Sequence, residues 1–150
     1  HIMSKVCRIC PIEKNAHSFF QIGENNDELY YFSYPFKSKY NDADSVIQHM
    51  ISEMYDNTKS WVWVINCASF GLTHLVRHKL NTIMLEFISS NMCANLSRII
   101  IMNQTISFKL LVHYYWWSIP IYIRNKIIFD TRNHFFTLLS FDDSMIELVA

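Results

Sequence analysis

Glycine is scarce in this chain, with 2 among 150 residues. Phosphate-cradling loops need several glycines so that the backbone can approach the ligand, so P-loop and dinucleotide-binding chemistry is excluded. No G-x-S-x-G elbow is present to raise a nucleophilic serine. With only 3 prolines as well, there is little flexible linker, and disorder does not fit a chain this apolar. Charge of one sign is also missing: 13 Lys and Arg balance 13 Asp and Glu. Holding DNA or RNA draws most of its affinity from neutralised phosphates, so a nucleic-acid partner is not expected. The 7 histidines add positive charge only as pH falls through about 6.5.

Long uninterrupted apolar runs are missing too. The most apolar stretch, Leu110 to Ile123, is broken by His113, Ser118 and Pro120. A membrane-spanning helix needs about 20 apolar residues. With no secretory leader in view, the expectation is a cytoplasmic protein that touches membranes at most peripherally. In that compartment Cys7, Cys10, Cys67 and Cys93 are read as reduced thiols.

What the chain does have is packing material: 51% hydrophobic residues and 15% aromatic. A chain of this length buries roughly 70% of its unfolded surface. One domain over residues 3–150 is expected, with His1-Ile2 read as an expression-vector remnant. His17 to Ile22 and Leu29 to Tyr34 read as strands joined by the turn formers Gly23 to Asp27. Asp42 to Asn57 has helical spacing, with Asp42 and Asp44 as candidate caps. Trp61 to Ile65 and Arg98 to Met102 read as strands of the buried type, and Lys126 to Phe129 as a third, short strand. Between them lie helical patterns at Leu72 to Ser90 and Gln104 to Trp117, the second stopped by Pro120. Further helical turns are expected at Asn133 to Leu139 and Asp142 to Val149. This alternation predicts an α/β fold with a mostly parallel central sheet, right-handed crossovers and helices packed on both faces.

Asn91-Met-Cys-Ala-Asn-Leu-Ser-Arg-Ile-Ile-Ile-Met-Asn103 resembles the CRAL-TRIO signature, in which a helix runs through N-Y-P-E-R-L into the strand K-R-I-x-I-x-N. Asn91, Leu96, Arg98, the isoleucines and Asn103 match in register, while Met92 and Cys93 stand where that family has Tyr-Pro. Trp61 to Asn66 is similar to the family's apolar strand ending in Asp, with Asn66 in its place and Gly71 two positions late. Phe108, Pro120, Arg124 and Lys126-Ile127 fall at the spacing of the family's F…kP…(t/r)xKI pattern. The resemblance covers about residues 29 to 140. It implies a CRAL-TRIO-like, non-enzymatic lipid binder whose strands floor an apolar cavity beneath a gate helix, here Thr105 to Trp117.

The gate segment stands out on physical grounds too. Ile106, Phe108, Leu110, Leu111, Tyr114, Tyr115 and Trp117 cannot all face one core. A helix apolar on every side lies in a core, against a ligand, in a partner contact or in a membrane interface. A phospholipid or phosphoinositide headgroup would also need donors, and Arg77, Lys79, Arg98, Arg124 and Lys126 are the candidates. Cys7-Arg-Ile-Cys10 is half a zinc site, and His74 and His78 would share a helix face but have no Glu between them for metalloprotease chemistry. No metal, cofactor or catalytic constellation is expected. The rival expectation is an interaction module of the BCH type, in which the apolar helix forms a homodimer or partner surface and no lipid is bound.

Overall fold

The computed structural model describes residues 17–39, 42–54 and 57–130. The chain opens with a hairpin, β1 (Phe19–Asn25) and β2 (Glu28–Ser33). Asn26 and Asp27 form its two-residue turn, with φ of 52° and 62°. Both positions need positive φ to match the twist of the strands, and Asn and Asp tolerate that region best after glycine. A bulge between Gln21 and Gly23 follows from the register.

Three crossovers build the rest of the sheet. α1 (Ala43–Met54) leads to β3 (Trp61–Asn66). α2 (Leu72–Leu75) and α3 (His78–Ile88) lead to β4 (Leu96–Met102). α4 (Ile106–Tyr115), a 3-10 turn at Trp116–Ser118 and α5 (Ile121–Arg124) lead to β5 (Ile127–Asp130). The strand order is β1-β2-β3-β4-β5, antiparallel in the hairpin and parallel thereafter. The expected α/β class and mostly parallel sheet are therefore present.

The expectation of helices on both faces is corrected for the described residues. Right-handed crossovers that always step the same way return every helix to the same face. Accordingly Val46 and Met50 of α1, Phe87 of α3 and Phe108 of α4 cluster with Trp61, Trp63, Ile99 and Ile101. The opposite-face cluster, among them Phe32, Val62, Val64 and Ile100, includes no residue of a described helix. The helical turns expected at 133–139 and 142–149 lie outside the described residues, as do Cys7 and Cys10.

Local chemistry sets the element ends. Asp42 caps α1 as expected, its Oδ2 accepting from Ser45 N at 3.0 Å. The single helix expected over 72–90 is two helices instead. Arg77, with ψ of 70°, breaks it, and Asn81 Nδ2 bonds the stranded Leu75 carbonyl at 3.1 Å. The break sends α2 toward α4 while α3 packs on α1. A straight helix cannot do both, and the break leaves Leu72 and Val76 exposed rather than on the inward face.

Candidate functional site

Between the sheet and the helices lies a cavity of about 230 Å³. Trp63, Ile65, Ile99 and Ile101 form its floor, and Leu80, Met84, Leu85 and Ile88 of α3 form one wall. Phe108, Leu111, Val112 and Tyr115 of α4 form the other. Close-packed interiors carry few voids larger than a water molecule. The cause here lies in the helix packing: α3 leans on α1 and α4 on α2, so the two walls barely touch. Apart from Phe87, no side chain of α3 is fully buried, although its apolar face is turned inward.

One end of this space differs from the rest. His17, Ser18, Ser33, His74, Arg77 and Asn81 line it. His17 and Ser18 precede β1, Ser33 ends β2, His74 lies on α2, and Arg77 and Asn81 lie at the start of α3. Most of these groups are already committed. Ser18 Oγ accepts from Tyr34 N at 2.7 Å, and Ser33 Oγ accepts from Trp63 Nε1 at 2.9 Å. His17 Nε2 lies 3.1 Å from Ser45 Oγ, and its ring stacks on His49 at 4.8 Å. His74 Nδ1 accepts from Gly71 N at 3.1 Å, and its ring stacks on Phe70 at 4.9 Å. Burial, and secondarily the charges of His49 on His17 and of Arg77 on His74, holds both imidazoles below their ordinary range. Arg77 is the exception: its Nη1 is buried with no hydrogen-bond partner among the described residues.

The expected gate residues separate into two sets. Phe108, Leu111 and Tyr115 face the cavity. Ile106, Leu110, Tyr114 and Trp117 turn outward, with Ile106 79% and Trp117 82% exposed. Their spacing of four, four and three puts them on one stripe of the helix. Leu72 and Val76 of α2 and Ile121 and Tyr122 of α5 are likewise exposed. The helix is thus apolar on two opposite sides because each side has its own surroundings. No helix among the described residues is long and apolar enough to cross a membrane.

Of the five candidate headgroup cations, only Arg77 reaches the cavity. Lys79 is exposed and lies 3.9 Å from Asp44. Arg98 is turned to the opposite face by strand alternation, beside Ile100. There its Nη2 donates to Tyr30 Oη at 3.0 Å and to Glu28 Oε1 at 3.4 Å. Glu28 also accepts from the hydroxyls of Ser60 and Ser97, which with Arg98 hold its carboxyl below the usual carboxylate range. Arg124 lies over the rings of Trp117 and Trp116, at 5.0 and 5.8 Å, and Lys126 over Tyr122 at 5.8 Å. None of these four lines the cavity. The shared face expected for His74 and His78 is absent as well, because the break at Arg77 puts them on different helices. Cys67 and Cys93 are free and buried, and burial pushes the Cys93 thiol up to about 12.

No family model and no curated protein matches this sequence. The CRAL-TRIO resemblance therefore rests on the motifs themselves. Two of its residues have a visible structural role: Asn66 Oδ1 accepts from Asn103 Nδ2 at 3.1 Å and from Ala68 N at 3.0 Å. Those bonds tie together the loops that leave β3 and β4. Apart from Arg77, the α3 wall and the polar rim were not singled out as site residues from the sequence. Periodicity shows which helix face turns inward, but not whether the space it faces is filled.

Proposed function

We propose that this chain binds the apolar part of an amphiphilic ligand in the cavity under α4, without altering it chemically, and exchanges it at a membrane surface. The cavity is the observation that carries the reading. The space is lined almost wholly by apolar surface and opens to solvent on one side, so a tail can enter it. An apolar tail that fills it gains about 0.8 kcal/mol per buried CH₂. The phospholipid or phosphoinositide suggested by the CRAL-TRIO resemblance has two chains, which exceed this volume unless α3 and α4 spread. A single short chain of roughly eight groups fits the space as it stands.

The outer stripe of α4 supports the membrane part of the proposal. Tyr114 and Trp117 on it, with exposed Tyr122 of α5, are aromatic rings with polar tips, the type that settles at headgroup depth. The same stripe favours one second reading, an interaction module in which it meets a second copy or another protein. Native mass spectrometry of the purified protein, with organic extraction of bound material, separates the two. A mass excess that resolves to an amphiphile is the expected result. An empty dimer, indifferent to liposomes, would replace lipid binding with the interaction module.

A further inference from the structure

Arg77 gives the cavity a chemical preference at its rim. Its Nη1 is buried without a hydrogen-bond partner among the described residues, and its neighbours there, Ser18, Ser33 and Asn81, are engaged elsewhere. A guanidinium donor removed from water and left unused is costly, so such groups normally hold an anion or a carbonyl. No acidic side chain among the described residues lines the space.

We propose that Arg77 is the counter-ion of a ligand carboxylate, and that the cavity takes a single-chain monocarboxylate with its tail directed between α3 and α4. This assignment rests on the ligand-binding reading above and names its substrate class. Volume sets the length: at about 30 Å³ per water-sized group, 230 Å³ holds roughly eight groups below the carboxylate. Charge sets the head. Among the described residues one cation lines the cavity, and it balances one negative charge, whereas a phosphate monoester brings nearly two. The planar fork of arginine also matches a carboxylate in two parallel hydrogen bonds.

The test is calorimetric titration of the purified chain with octanoate, octanol and octyl phosphate, repeated with Arg77→Met and Arg77→Lys. Octanoate is expected to bind the unaltered chain about tenfold or more tighter than octanol, as befits a paired hydrogen bond to a charged group. Arg77→Met is expected to erase that preference while octanol binding persists, which shows that the cavity is still formed. Arg77→Lys keeps the charge, loses the fork and is expected to fall between. Equal binding of octanoate and octanol by the unaltered chain would overturn the carboxylate assignment and leave the cavity reading standing. Tighter binding of octyl phosphate would overturn it in favour of a phosphate head. If none of the three binds, the ligand-binding reading itself fails.

Discussion

His17 and His74 line the cavity rim in their neutral forms, because burial makes their charged forms costly. In the unfolded chain both return to about 6.5. Between the depressed folded value and 6.5 the unfolded state binds more protons, so stability rises with pH there. It is therefore complete above about pH 7 and declines as pH falls through the imidazole range. The urea midpoint is expected to be lower at pH 5.5 than at pH 7.5, and the gap should narrow in a His17→Asn, His74→Gln double variant. A gap of equal size in that variant would assign the effect to other groups. Asp42 adds a separate loss at lower pH: its bonds to Ser45 N and Oγ hold its carboxyl below the usual range, and protonation removes them. None of this followed from composition. A histidine in a sequence has no visible partner until a strand start and a distant helix meet.

α4 depends on one residue at its start. Thr105 Oγ1 accepts from Phe108 N at 3.2 Å and donates to the Phe70 carbonyl at 2.6 Å. It therefore caps the helix and fastens it to the loop after β3. Thr105→Ala is expected to cost about 2 kcal/mol, the upper end for a lost cap, because the Phe70 carbonyl also loses its donor. Thr105→Ser should recover most of it in the same chemical denaturation series. The helix itself was legible in its apolar residues, and Pro120 marked its end within a few positions. The strands at 61–66 and 96–102 were equally legible, because continuous Val, Ile and Trp runs fit a sheet buried on both faces. The break at Arg77 was not legible. No glycine or proline marks it, and it arises because two stretches of one apolar pattern have different tertiary partners. Of the candidate site, sequence alone indicated the inner α4 residues and included Arg77 among five cations. Choosing Arg77 required knowing which cations face the sheet interior.

Across the whole molecule, apolar side chains face outward on α4, with others exposed on α2 and α5. If this surface meets membranes, replacing Ile106, Leu110 and Trp117 with serine should lower partitioning onto liposomes at least tenfold, since each large apolar side chain contributes about 1.5–3 kcal/mol when buried. Thermal stability should scarcely change, because these residues are exposed in the folded chain. Liposome flotation and a melting curve on the same sample provide the check. Unchanged flotation together with loss of a dimer on gel filtration would assign the stripe to self-association.

The strand order repeats the chain order without interruption. No strand has to be inserted between two that are already paired, so the sheet can grow by lateral addition as the polypeptide leaves the ribosome. Each new strand meets a neighbour completed one crossover earlier, so every parallel pairing closes a single crossover rather than a larger part of the chain. The cavity walls arrive in the same sequence, α3 before α4. The cavity is consequently among the last features of the described chain to close, after every strand that floors it has been laid down.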